Sequence, residues 1–366
     1  MNEPRKRFFK SRRAVRWLGL AALCALTLEI AARFDDWVTF GAPLLGRYEM
    51  EQLFQPTPRG LRGVPSAKCM KWGLNAAGFR GPDVKPAAGQ IRVVTYGASE
   101  TFGIYEETGQ EYPRALEHTL NARTSGGRFE VINAGIPGMR VGSGVLLLQD
   151  IGAALQPQVV VIYSTPTHYI GVTRPFCGRP VVMPPRPGFS LPKLRLADKI
   201  KDRVKEGLPP AALTSMRKAG IWWEARHGTV LERVAPASLD AFESDLHCAL
   251  KTVREIGAVP ILVTHANRFG APRPDDAYWL TGWRGQYPEM RESGLVDLET
   301  QANQRIRAVA RAENVILVDA AMALGGVPDY FADHAHFTNT GAAKLAALLS
   351  SAVPEALDQR KRLTKN

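Results

Sequence analysis

The sequence predicts an α/β fold, with a five-stranded parallel sheet covered by helices behind one N-terminal helix directed at a membrane. Three observations carry this. From residue 91 onward, short β-branched runs alternate with longer amphipathic stretches, as βα units require. Runs such as Val159-Val160-Val161-Ile162 are apolar at every position, as strands covered on both faces must be. Seven cations between Arg5 and Arg16 abut an uninterrupted apolar run from Trp17 to Leu28. At 366 residues, 45% of them hydrophobic and 22% charged, the chain buries a full core, which excludes disordered, collagen-like and disulfide-scaffold classes.

The elements follow in order. Residues 1–13 form a basic segment and 14–33 a transmembrane signal anchor, whose length from Ala14 to Ala32 is about 28 Å at 1.5 Å per residue. Arg16 is placed to snorkel at one end. The alternatives are a cleaved signal, for which no small-x-small site follows the run, and a buried helix of a soluble protein, which the flanking cations oppose. Leu23 before Cys24 spoils a lipoprotein box, and Ser11-Arg12-Arg13 resembles the start of a twin-arginine signal. The positive flank stays in the cytoplasm, so the rest of the chain lies outside, which in a bacterium means a single-pass inner-membrane protein with a periplasmic domain.

Residues 34–90 read as a loop-rich lead-in, 91–352 as the main domain and 353–366 as a basic C-terminal tail. Within the domain the strands are Ile91 to Tyr96, Phe129 to Ile132, Val159 to Tyr163, Val259 to Thr264 and Val315 to Asp319. The helices are Tyr112 to Ala122, Val141 to Leu155, Leu239 to Ile256, Thr300 to Glu313 and Ala342 to Ser351. No repeat at periods of 20 to 50 residues interrupts this. A basic insert, 170–235, separates the third strand from the fourth. It opens with Pro175-Phe176-Cys177-Gly178-Arg179-Pro180 and Pro184-Pro185-Arg186-Pro187, and continues from Leu191 to Leu208 with Lys193, Arg195, Lys199, Lys201, Arg203 and Lys205.

The formal charge of +12 is local. Residues 1–36 hold 8 Lys/Arg against 4 Asp/Glu, the insert 13 against 5, and the remainder balances. Neither patch carries a zinc-finger spacing, a basic zipper or an RNA-binding aromatic signature, which argues against nucleic acid as a partner. An overhanging insert at the carboxyl edge of the sheet is a lid or substrate platform, attracting an anionic glycan or the phospholipid surface, or else a solvated helix without a ligand. Trp222 and Trp223 either stack on sugars or pack the insert onto the domain. Of four cysteines, Cys24 lies in the anchor and Cys248 on a helical pattern where a small buried side chain is expected. Cys69 and Cys177 pair in an oxidising compartment or stand as two loop thiols. No Cys/His cluster has metal-ligand spacing, and no cofactor is expected.

Three motifs carry chemistry. The first strand ends in Tyr96-Gly97-Ala98-Ser99-Glu100-Thr101-Phe102-Gly103, where Gly97 permits a sharp bend and Ser99 opens the next helix, either as a nucleophile or as an N-cap. The second strand runs into Asn133-Ala134-Gly135-Ile136-Pro137-Gly138, where the Gly135 amide is an oxyanion donor or part of a glycine-rich turn. Asp333-His334-Ala335-His336-Phe337-Thr338 precedes the last helix, so one turn of backbone can hold Asp333 beside His336, the carboxylate fixing the tautomer of a base.

In the order Ser, Gly, Asp-x-x-His, each after a strand of one sheet, these blocks resemble the SGNH/GDSL hydrolases over roughly residues 91–352. The segment Asn75-Ala76-Ala77-Gly78-Phe79-Arg80-Gly81 is similar to one that precedes the Ser block in membrane-anchored bacterial members. The resemblance implies a flavodoxin-like three-layer α/β/α fold, Ser99 as nucleophile, His336 as base, Asp333 as its orienter, and the Ser99 and Gly135 amides as oxyanion donors. Two positions depart from it. Gly97-Ala98-Ser99 stands for Gly-Asp-Ser, and Thr165-Pro166-Thr167-His168 for Gly-x-Asn-Asp, putting Thr167 in place of the oxyanion asparagine. A hydroxyl reaches less far than an amide, which makes His168 and Asn267 alternative donors.

Together with the anchor, the resemblance implies a serine esterase removing O-acetyl or similar small acyl groups from an envelope or exported polysaccharide. An O-acyltransferase on the same triad, a non-catalytic glycan-binding or assembly protein that keeps the fold, and a lipid-directed esterase are the competing readings.

Overall fold

The computed structural model describes residues 4–42, 44–45, 50–86, 89–124, 128–179, 194–226, 228–271 and 273–363, with side chains from Ala14 onward except that of Glu51. Pro180, Pro184-Pro185-Arg186-Pro187 and Leu191 to Lys193 of the basic insert lie outside the described residues. The chain divides into two compact units, and helices and strands are numbered here in chain order. One unit comprises residues 1–52, 68–71 and 186–208; the other comprises 53–67, 72–185 and 209–366.

In the first unit, helix α1 (Pro4–Phe40) runs beyond both ends of the expected 14–33 anchor, so the basic segment is helical from Pro4 and the first residues of the lead-in are too. Ala14–Phe40 is the one stretch among the described residues long and apolar enough to cross a membrane, and a signal sequence passes the same test. Only 6% of its most apolar window is buried, which sets it apart from the core helix of a soluble domain. Helix α5 (Arg195–Gly207) packs on α1.

The second unit holds the sheet. A short antiparallel pair, β1 (Phe54–Thr57) and β2 (Gly60–Gly63), comes first, so the lead-in is more ordered than a loop. Strands β3 (Ile91–Gly97), β4 (Phe129–Asn133), β5 (Val159–Tyr163), β6 (Val259–Val263) and β7 (Ile316–Val318) form one parallel sheet in the order β4-β3-β5-β6-β7. Numbered from β3, this is the 2-1-3-4-5 order of a flavodoxin-like doubly wound sheet, and every strand residue of β4, β5 and β6 is buried. One face carries α3 (Tyr112–Ala122) and α11 (Asn339–Leu363), whose Leu116, Leu120, Leu345 and Leu349 meet Val93, Val161 and Ile261. The other is covered by α4 (Val145–Leu155), α7 (Pro236–Glu255) and α9 (Glu292–Ala312).

The region expected as a tail from residue 353 is helical to Leu363, because α11 continues through Pro354. Proline removes the amide that would bond the Ser350 carbonyl, and Arg123 Nη1 donates to that carbonyl at 3.4 Å. Within the insert, α6 (Pro210–Ala225) follows α5, α8 (Asp276–Arg284) lies between β6 and α9, and the short α10 (Ala320–Leu324) follows β7.

The cysteines differ from either expectation. Cys177 pairs with Cys248, their Cα atoms 5.8 Å apart, while Cys69 is a buried thiol. Cys248 follows Asp245 by one helical turn of α7, and the wholly buried Asp245 carboxylate accepts from the Tyr169 hydroxyl at 2.7 Å, the Phe176 amide at 3.0 Å and the Cys177 amide at 2.8 Å. A helical pattern hid this, since a cysteine on the apolar stripe of α7 reads as a small core residue. The clip closes a loop of 71 residues, so Cys177→Ser lowers stability by about 2–4 kcal/mol. Denaturant melts with and without reductant check this, the reductant destabilising the wild type and leaving the variant unchanged.

Candidate active site

The turn after β3 is built by close approach. A Cβ at Gly97 would lie 2.2 Å from Thr101 Oγ1 and 2.4 Å from the Tyr163 carbonyl, so only glycine lets β3 pass that near to β5 before the chain turns. Ser99 then opens α2 (Ser99–Phe102), a single turn. The helix that Ser99 opens is thus one turn only: the Phe102 amide bonds the Ala98 carbonyl at 2.9 Å, and the amides before it have no intrahelical acceptor.

Ser99 Oγ lies 2.9 Å from His336 Nε2, and His336 Nδ1 lies 2.8 Å from Asp333 Oδ2. Asp333 makes Nδ1 the donor, which leaves Nε2 to accept the Ser99 proton. One turn of backbone holds them side by side, as the three-residue spacing allows, and it is not helical. A bridge between Phe331 and Phe337 closes it, and Asp333 Oδ1 accepts the amides of Ala335 at 3.0 Å and His336 at 2.9 Å. Burial pushes the Asp333 carboxyl up, but its bond to His336 and the amides outweigh this and hold it well below the usual carboxylate range. Burial pushes His336 down, and Asp333, with Glu100 and Glu106 behind it, reverses that, so its pKa stands above the ordinary histidine value. The Tyr105 ring lies 5.5 Å from the His336 ring, half exposed. His334 stacks on Trp283 and is pushed down by burial to about 4, leaving it neutral.

The expected oxyanion donors are arranged differently. A Cβ at Gly135 would lie 2.4 Å from the Phe102 amide, so glycine is required there by packing against α2. The Gly135 amide itself donates to Asn133 Oδ1 at 3.0 Å. Thr167, on a 3₁₀ turn (Pro166–Tyr169), accepts the Tyr287 hydroxyl at 3.1 Å. His168 Nδ1 sits 3.1 Å from the Met139 carbonyl. Asn267 Oδ1 accepts the Phe269 amide at 3.0 Å, a local turn at the end of β6. The structure thus joins Ser99, His336 and Asp333, and gives Gly135, Thr167, His168 and Asn267 hydrogen-bond partners of their own.

Beneath Ser99 lies a buried series of charged groups that the motifs did not indicate. Glu100 Oε2 is 3.3 Å from Ser99 Oγ and accepts the Thr165 hydroxyl at 2.8 Å; its Oε1 is 3.2 Å from His265 Nε2, whose Nδ1 is 2.7 Å from Glu299 Oε2. Glu100, His265 and Glu299 are each at most 2% exposed. Burial disfavours the His265 cation, but Glu299 and Glu100 on its two sides raise it to about 10; Glu100, which burial alone would push up, is held well below its usual value by His265. The available signal was Glu299, a carboxylate on the same stripe of α9 as Leu295, Leu298 and Ala302.

The lead-in segment reaches the same turn. Asn75 Oδ1 accepts the amides of Ala77 and Phe79, and Arg80 bridges Asn133 at the end of β4. The buried Arg80 guanidinium donates to the Phe102 carbonyl at 2.6 Å and to the Gly103 carbonyl, closing the last turn of α2.

No family model and no curated protein sequence matches the chain. Among solved structures it is similar to the acetyl xylan esterase AlAXEase (16% identity, 72% of this chain and 100% of that one, TM-score 0.40). It is also similar to a lipase/acylhydrolase from Enterococcus faecalis (17% identity, 72% and 95%, TM-score 0.43) and to a putative lipolytic protein of the G-D-S-L family from Desulfitobacterium hafniense DCB-2 (14% identity, 72% and 99%, TM-score 0.41). The fold rests on the sheet order, and the chemistry on the Ser99, His336 and Asp333 distances.

Two outcomes are expected. A base must be neutral to take the Ser99 proton, so acylation by an activated ester falls as pH drops through the raised His336 pKa, with a midpoint above about 6.5. Asp333→Asn moves that midpoint down and slows the reaction, read from the pH profile of acylation. Arg80→Ala takes the guanidinium from the Gly103 carbonyl and leaves the Phe102 carbonyl only Asn133 Nδ2 at 3.3 Å, lowers stability by about 1–3 kcal/mol and slows acylation of Ser99. Arg80→Lys, which loses the planar group over the Phe102 ring and the Nη2 that stands 3.7 Å from Glu111, recovers only part of either, measured as thermal melts and acylation rates on the same samples.

Proposed function

We propose that the chain is an SGNH/GDSL-type serine esterase that removes O-acetyl or similar small acyl groups from an envelope or exported polysaccharide. The single observation that carries the reaction class is the hydrogen-bonded series Ser99 Oγ to His336 Nε2 and His336 Nδ1 to Asp333. Ser99 Oγ attacks the acyl carbonyl while His336 takes its proton; the sugar alcohol leaves with that proton, giving an acyl-enzyme. Water then attacks as His336 takes its proton, and the carboxylic acid departs as the proton returns to Ser99. The Ser99 amide, in the first turn of α2, is the nearest oxyanion donor, and the Gly135 amide joins it when Asn133 yields the bond.

The polysaccharide part of the proposal rests on exposure and location. Trp222 and Trp223 on α6 are 67% and 60% exposed, with Arg226 over the Trp223 ring, so they present aromatic faces to solvent instead of packing the insert onto the domain. Such faces suit sugar stacking beside a cation. Helix α1 supports an inner-membrane anchor with the sheet domain outside, and the Cys177–Cys248 pair fits an oxidising compartment such as the periplasm.

One observation favours a second reading. The ionised Glu100 carboxylate beside Ser99 opposes negative charge on that oxygen, as befits a glycan-binding or assembly protein that keeps the fold without turnover. Covalent labelling of the detergent-solubilised full chain by a serine-reactive fluorophosphonate, read by intact mass, separates the two. A single adduct, absent in Ser99→Ala and His336→Ala, supports the esterase. No adduct on folded protein overturns it in favour of binding. With an acyl donor and an oligosaccharide acceptor, transfer outrunning hydrolysis would assign the same triad to an O-acyltransferase.

A further inference from the structure

Helix α5 is packed inside out. On a helical projection, Arg195, Lys199 and Asp202 share one side, while Leu196, Ile200 and Val204 share the other. A helix of a water-soluble unit turns its apolar side to its neighbour, but α5 turns the charged one. Arg195 Nε donates to Asp36 Oδ2, and Lys199 Nζ reaches Asp35 and lies 2.9 Å from Asp36 Oδ1, both carboxylates on α1. Ile200 and Val204 are 54% and 55% exposed.

The depth of these contacts is set by α1. Twenty residues separate Arg16 from Asp36, about 30 Å of helix, which is the thickness of a hydrocarbon core. Asp36 and its two cations therefore stand one membrane thickness from the basic flank. Glu29, the charge that interrupts the apolar run, lies about 10 Å deeper. It is satisfied there: Glu29 Oε1 and Oε2 accept the first amides of α5, Arg195 N at 3.0 Å and Leu196 N at 2.8 Å, and Oε1 also accepts Arg33 Nε at 2.7 Å. Those are the amides a helix start leaves without acceptors, so the one acid inside the span and the open end of α5 complete each other. At the level of Asp36, α1 carries the ring pair Phe34 and Trp37, the residue types of a membrane interface.

We propose that α5 is a membrane-embedded interfacial helix, its amino-terminal turn sunk beside Glu29 and its Leu196, Ile200 and Val204 stripe lying against the acyl chains of the leaflet at the carboxyl end of α1. The exposed Lys201, beside that stripe, and Lys205, next round the helix, meet the lipid phosphates. This goes beyond a single-pass anchor, and it rests on α1 spanning the bilayer. It also divides the charge of the insert, since Arg195 and Lys199 are spent on α1 and only the outer cations face a lipid headgroup.

The test uses the full chain in vesicles of phosphatidylethanolamine and phosphatidylglycerol at a low protein-to-lipid ratio, with an environment-sensitive fluorophore and brominated lipid as quencher. Wild type labelled at the exposed Cys24 reports whether α1 is inserted. In a Cys24→Ala background, Ile200→Cys and Glu206→Cys report the two sides of α5. Expected are a blue-shifted Ile200→Cys label, quenched to about the extent of the Cys24 label, and a Glu206→Cys label with water-like emission. A lipid-quenched Cys24 label with a water-like Ile200→Cys label overturns the proposal while leaving the anchor intact. A blue-shifted Ile200→Cys label that brominated lipid does not quench also overturns it, giving the stripe a protein neighbour. A water-like Cys24 label overturns the membrane reading of α1 and the proposal with it.

Discussion

The contact on which the site depends is the one between Glu100 and His265. It joins the turn after β3 to the end of β6 across the full width of β5, and Thr165 at the end of β5 completes it. Three strand ends are thereby tied by a charged interaction in a place water does not reach. Taking an imidazolium and two carboxylates out of water is costly unless each finds its counterion, and the arrangement of Glu100, His265 and Glu299 meets that condition on both sides of the ring. Ser99 is neighbour in sequence to one of these charges and neighbour in space to His336, so its position follows from how both are held.

The same turn is gripped from outside the sheet. Gly97 and Gly135 let backbone meet backbone at its two sides, and Arg80 closes its far end. The nucleophile is thus held by three independent kinds of constraint, namely buried charge, steric crowding and a buried cation on two carbonyls. Each acts on a different part of a four-residue helix too short to be stable by itself.

Much of this was legible in the sequence. Apolar β-branched runs announced five strands because a doubly covered strand has no polar face, and the order of the Ser, Gly and Asp-x-x-His blocks carried the resemblance that pointed to Ser99, Asp333 and His336, although a helix and a 3₁₀ turn stand between β7 and Asp333. What stayed hidden was hidden for physical reasons. His265 and Glu299 are far apart in sequence and pair only through the fold, while Asn267, two residues from His265, drew attention by its amide and serves a local turn. Cys248 resembled a core residue, since a disulfide half buried on an apolar stripe has no local signature. The last helix, read as ending at Ser351, runs on through Pro354, where Arg123 at the end of α3 supplies the bond that proline removes. The polar side of α5 was readable, but its partner was not: acids at Glu29, Asp35 and Asp36 belong to a helix more than 150 residues earlier.

Arg80 alters where the functional unit begins. A chain cut at Ile91, where the sheet starts, would keep Ser99, Asp333, His336 and all five parallel strands. It would lose the guanidinium that closes α2, the backbone bridge that Arg80 makes at the edge strand β4, and the Trp72 indole that donates to the Ile104 carbonyl at 3.3 Å. The smallest piece that preserves the geometry of the nucleophile is therefore longer than the piece that preserves its residues, and homologous boundaries drawn from the sheet alone would divide one working part into two.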